Sequence, residues 1–117
     1  MIGLREVIQN LSEREGVDAV AVVSGDGLII DHAARPGLDP DAVAALVPTL
    51  AQAARNVGRA ASGGDLSHAV LEYDGRMLVV TALHDEIHLI ILAQGGANIG
   101  ALLFDLHRHQ PALAELL

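Results

Sequence analysis

The stretch DPDAVAALVPTLAQAARNVGRAASG, residues 39–63, reads as one long alanine-rich helix around which the rest of the chain is organised. Asp39 suits its start, because a carboxylate there accepts from the free N–H groups of the first turn, and Pro40 fits the first helical position, where no N–H is needed. At the far end Ala60-Ala61-Ser62-Gly63-Gly64 offers a glycine for the left-handed conformation that stops a helix. Helical spacing puts Val43, Leu46, Val47, Leu50, Ala54, Val57 and Ala61 on one face, and Thr49, Gln52, Arg55, Asn56 and Arg59 on another. The apolar arc is about twice the width that covers a single surface. Along one flank Ala44, Ala51 and Gly58 recur at heptad spacing, a line of small side chains that a second backbone can approach closely, and this stripe is expected to be the dimer contact. Pro48 removes the hydrogen bond to the carbonyl of Ala44 and predicts a kink or a tightened turn.

The 117 residues suit one domain with one core, spanning 1–117. Apolar residues make up 51% and 12 glycines add to them, above the roughly 45–50% that an ordinary soluble domain reaches with glycine included. No apolar run approaches the ~18 residues of a membrane span, so the excess points to a partner surface, most simply a second copy of the chain, and not to membrane insertion. Seven arginines, no lysine and 15 acidic residues give a net charge of −8, which opposes binding to nucleic acid or an anionic membrane. The absence of cysteine excludes disulfides, thiol nucleophiles and thiolate metal sites. The opening Met1-Ile2-Gly3-Leu4-Arg5-Glu6 carries no secretory pattern, so a cytoplasmic location is expected.

Ile2, Leu4, Val7, Ile8 and Leu11 predict a short one-sided helix over residues 2–14, ended by Gly16. Val17 to Ser24, the turn Gly25-Asp26-Gly27 and Leu28 to His32 predict a β-hairpin. After the middle helix, Leu66 to Tyr73 and Arg76 to Leu83 flank Asp74-Gly75, for which a type I′ turn with positive φ at both positions is expected. His84-Asp85-Glu86 makes another turn, and the Ile/Leu run from Ile87 to Ala93 predicts a central strand covered on both faces. Asn98 can cap a last helix bearing Ile99, Leu102, Leu103, Leu106 and Leu113, which Pro111 is expected to kink or interrupt. The order α-β-β-α-β-β-β-α, with short connections inside each group of strands, predicts an α+β fold. It is a three-layer α/β/α sandwich with a five-stranded antiparallel sheet, the long helix on one face and the terminal helices on the other.

Residues Gly16 to Leu28, a hydrophobic strand running into a Ser-x-Asp-Gly turn, together with the alanine-rich helix and the Asp74-Gly75 hairpin, resemble the Roadblock/dynein light chain family. The likeness covers essentially the whole chain and, within the family, resembles the bacterial and archaeal MglB-type regulators of Ras-like GTPases. It implies a homodimer in which the middle helices lie side by side and the strands that follow them pair into one continuous sheet. Such dimers serve as platforms for a small GTPase, some changing its nucleotide cycle and others anchoring it or serving as subunits of larger complexes.

No P-loop is possible without a lysine, so the chain would act on a GTPase and not be one. Serines 24, 62 and 67 lack a nucleophile-elbow context, and no catalytic residue and no cofactor is expected. Of the six histidines, His84 and His88 share a side with Glu86 only if that turn is extended, and His107 and His109 diverge by about 200° on a helix, so no metal site is expected. Docking of a Ras-like small GTPase is assigned to Gln52, Arg55, Asn56 and Arg59. Arg55 and Arg59 are placed either to bind acidic groups on the partner or to reach its nucleotide as an inserted arginine. Two functions remain open, a homodimeric non-enzymatic regulator of a small GTPase and a passive scaffold without effect on GTP turnover.

Overall fold

Eight elements follow one another in the computed structural model, which describes residues 3–84 and 86–117: α1 (Leu4–Ser12), β1 (Val17–Val23), β2 (Ile29–Ala34), α2 (Asp41–Ala60), β3 (His68–Glu72), β4 (Arg76–Ala82), β5 (His88–Gln94) and α3 (Ile99–Glu115). The expected contribution of Ile2 to the first helix, and of Asp85 to the turn before β5, lie outside the described residues. The five strands form one sheet in the order β2-β1-β5-β4-β3, with every pairing antiparallel. β5 is buried from His88 to Ala93 and lies at the centre, as its unbroken apolar run predicts. β2 and β3 are the edges. No helix among the described residues is long and apolar enough to cross a membrane.

The sheet separates two cores. Ile8 of α1 and Leu102, Leu106 and Leu113 of α3 pack with Val20, Val22, Val79, Leu89 and Ile91 on one face. Ala44 and Val47 of α2 pack with Ala19, Ala21, Val23, Val80, Ile90 and Leu92 on the other. Alternation along the strands sends neighbouring residues to opposite faces, which is why both layers are apolar. The α2 face of β1 is small, Ala19 and Ala21, and the helix side that meets it is small as well, so helix and sheet approach closely.

The start of α2 matches its reading: Asp39 Oδ1 accepts from the Asp41 N–H at 2.9 Å, and Pro40 already holds helical dihedrals, φ −75° and ψ −12°. Its end differs. Positive φ falls first at Ser62, 55°, and again at Gly64, 81°, and the Gly63 N–H reaches back to the Gly58 carbonyl at 2.8 Å. A polar serine tolerates this conformation where the closing backbone bonds demand it. Helix α2 runs on through Pro48, and α3 runs unbroken through Pro111. The Ala44 carbonyl released by Pro48 faces the turn after β1, where a Cβ on Gly27 (φ +79°) would stand 3.2 Å from it and 3.1 Å from Cα of Ala45.

The β3–β4 hairpin forms, with Val70 opposite Val79 and the Tyr73 N–H bonded to the Arg76 carbonyl at 2.8 Å. Its turn is not type I′, because neither Asp74 nor Gly75 lies at positive φ. A Cβ at Gly75 would meet nothing within 4 Å. The Asp-Gly pair therefore marks the turn without carrying the backbone conformation read from it.

Candidate functional site

Two of the three small residues in the α2 stripe are covered by the chain itself. Ala44 and Ala51 are 0% and 1% exposed within a single chain, and Gly58 is half-buried, where a Cβ would lie 3.4 Å from the Gly64 carbonyl. The expected dimer contact through Ala44, Ala51 and Gly58 is corrected for Ala44 and Ala51, whose small side chains let α2 settle onto its own sheet. The surface left open is made of large residues. Leu46 and Val57 are 69% and 67% exposed, on a stripe shared with the half-buried Val43 and Leu50. Beside it, Val43, Leu46 and Leu50 with Leu71, Tyr73 and Met77 line an apolar groove of about 440 Å³ that opens next to edge strand β3. Exposed apolar patches of this kind mark interaction surfaces.

The two sheet edges differ in how they are covered. At β2, Arg5 donates to the His32 carbonyl at 2.7 Å and to Asp31 at 2.8 Å, so a charged side chain from α1 lies over that edge. β3 is short, carries Val70 exposed and adjoins the groove. An edge strand with apolar surface around it is a template for pairing with another strand.

The four polar residues assigned to docking fall into two groups. Gln52, Asn56 and Arg59 are exposed and linked: the Gln52 amide donates to Asn56 Oδ1 at 3.1 Å, and Arg59 donates to the same oxygen. Arg55 is half-buried, its guanidinium turned inward to Nε2 of His88 at 2.9 Å. His88 is 3% exposed on the α2 face of β5. Guanidinium only donates, so Nε2 of His88 accepts and its proton sits on Nδ1. Burial first, and the Arg55 charge second, push the His88 pKa below its ordinary value and keep the ring neutral.

The sequence reading weighed His88 only as a metal ligand and missed its contact with Arg55, which reaches it only once α2 lies on the sheet. It also missed buried Asp18, which holds Arg35 Nε at 3.3 Å and Arg76 Nη2 at 3.6 Å and tethers Arg76 beside the groove. His84 and His88 do not converge, since Nε2 of His84 meets the Ala114 carbonyl at 2.7 Å while His88 meets Arg55.

Residues 4–93 match the family model of the Roadblock/LC7 domain. Among solved structures, the Roadblock/LC7 domain from Streptomyces avermitilis is 28% identical, covering 97% of this chain and 93% of that one at a TM-score of 0.77. An MglB with a tetrameric arrangement is 19% identical over 99% of this chain and 92% of its own, TM-score 0.84. The gliding protein MglB from Thermus thermophilus is 18% identical over 99% and 93%, TM-score 0.82. Likeness to the two MglB structures is likeness of fold. A comparison with curated proteins finds no match.

Proposed function

This chain belongs to the Roadblock/LC7 family, and from that premise we propose that it acts in the cytoplasm as a homodimeric, non-enzymatic regulator that binds a Ras-like small GTPase and modulates its nucleotide cycle. One observation carries the reading: the open edge of β3 and the exposed apolar stripe of α2 adjoin one another. A second copy related by a two-fold axis would cover both at once, its α2 against Leu46, Leu50 and Val57 and its β3 against the free edge. An MglB of the same fold has been solved in a tetrameric arrangement, which supports self-association as a property this fold can carry. The polar row of Gln52, Asn56 and Arg59 lies on another side of the helix, so a dimer would present two such rows to one GTPase, with arginine suited to forked bonds to its acidic groups.

The Arg55–His88 contact favours docking over insertion. An arginine that reached a bound nucleotide would first have to leave a buried acceptor, and in a scaffold it never needs to. The test is turnover and binding by candidate Ras-like GTPases, beginning with any encoded beside this chain. Arg59→Glu is expected to weaken binding by about tenfold or more through like-charge contact with an acidic partner. Arg55→Ala at saturating protein is expected to change stimulated turnover by less than about tenfold, whereas an inserted arginine contributes about 10³–10⁵. Unchanged affinity of Arg59→Glu for every GTPase that the wild-type protein binds rejects the docking face.

A further inference from the structure

His68 opens edge strand β3. Ala69 and Leu71 pack on the α2 side, so His68, Val70 and Glu72 face the opposite layer. There Nδ1 of His68 lies 3.1 Å from the hydroxyl of Thr81, itself 1% exposed, while Nε2 is shut off from solvent with no hydrogen-bond partner. A buried ring nitrogen without a partner calls for an explanation. The ring of His107, on the exposed side of α3, stands with its centroid 6.2 Å away and its plane at 62°. Two imidazoles sharing one Zn²⁺ through bonds of about 2.0–2.1 Å place their centroids about 5 Å apart at a tetrahedral angle. A side-chain movement of about 1 Å by His107 closes that difference. The Thr81 hydroxyl already holds the other ring nitrogen of His68, as outer partners of metal-bound histidines do.

Among the described residues of one chain, no three ligating side chains gather at one point. The strand pairing proposed above supplies a third. The antiparallel register that pairs all five residues of His68–Glu72 with a second copy sets Val70 opposite itself and His68 opposite Glu72 of that copy, with Cβ atoms about 4.5–5.5 Å apart. We propose that His68, His107 and Glu72 of a second copy form a site for a zinc-class divalent cation at each end of the shared strand pair, completed only in the dimer. Nitrogen and carboxylate ligands suit Zn²⁺ over Mg²⁺ or Ca²⁺. The inference rests on the β3 pairing read under the proposed function, and the experiment separates the two.

Full-length protein freed of metal with a chelator is titrated with Zn²⁺ alone, reading heat of binding, melting temperature and light-scattering mass on the same samples. The expected result is one zinc per protomer of a dimer, with a melting temperature that rises with zinc concentration. Because His107 is exposed, His107→Gln leaves the fold intact and weakens binding at least about tenfold, while Thr81→Val weakens it by about 10–100-fold. Glu72→Gln, also on an exposed side chain, lowers affinity by about tenfold or more. A protein that scatters as a dimer yet takes up no zinc overturns the metal site alone, as does unchanged affinity in His107→Gln. Unchanged affinity in Glu72→Gln removes the shared carboxylate. A monomeric mass at every concentration overturns the strand pairing, and the ligand from the second copy with it.

Discussion

The two apolar sides of α2 serve opposite purposes. Toward the sheet stand Ala44, Val47 and Ala51, all buried; away from it stand Leu46 and Val57, both about two-thirds exposed. Ala44 and Ala51 lie where the chain comes nearest to itself, and Leu46 and Val57 where it remains uncovered. A smooth line on a helix thus signals close approach without saying to what. In a protein whose sheet also presents small residues, Ala19 and Ala21, the nearest backbone is its own.

The largest expected effect tests the inner side. Ala51→Arg would place an unpaired charge and a long side chain between α2 and the sheet, at about 3–5 kcal/mol or more, a large part of the ~5–15 kcal/mol that keeps a domain folded. Circular dichroism and thermal melting would register the loss. A folded monomer of normal melting temperature would mean instead that Ala51 does face a partner.

The outer side is tested by Leu46→Glu, which removes apolar surface where one chain leaves it exposed. Protomer stability is expected to change by about 0.5 kcal/mol or less, while light scattering should show the dimer mass halved. Retention of the dimer with full affinity would move the interface elsewhere on the molecule.

The smallest effect concerns the border between the sides, where Arg55 leans on His88. The folded state holds the His88 pKa below the ordinary 6.5, so above about pH 6.5 both folded and unfolded chains keep the ring neutral and stability does not vary from this source. As pH falls below 6.5 the unfolded chain takes up the proton first, and stability declines until the lowered folded pKa is passed. His68 is shifted in the same direction and adds to the decline. His88→Gln keeps an acceptor for Arg55 and cannot titrate, so its melting temperature should fall less steeply between about pH 7 and pH 5 than that of the wild type. An identical slope would show that the folded protein does not hold the His88 pKa below its ordinary value.

Much of the architecture is written in local patterns. The run from Ile87 to Ala93 has no polar position to offer water apart from His88, so it had to become the central strand, and Asn98 caps α3 by accepting from the Ala101 N–H as its position suggests. Turn chemistry was less transparent: Asp74-Gly75 marks a hairpin, but its backbone takes no positive φ, and at the end of α2 Ser62 adopts the left-handed conformation ahead of Gly64. Turn type depends on how the flanking strands twist and close, and a dipeptide does not contain that.

Periodicity, composition and charge were enough to determine the element order, the three layers and a surplus of apolar surface. They act through neighbours in sequence, where residue type sets the outcome. Which side of α2 meets the sheet, whether Arg55 points outward or toward His88, and whether His68 meets His107 were decided by tertiary structure. Each depends on a contact between residues distant in the chain, brought together only when α2 and α3 settle on opposite faces of the same five strands. The broad apolar arc of α2 left its orientation undetermined, and the fit of its small residues against Ala19 and Ala21 resolved it.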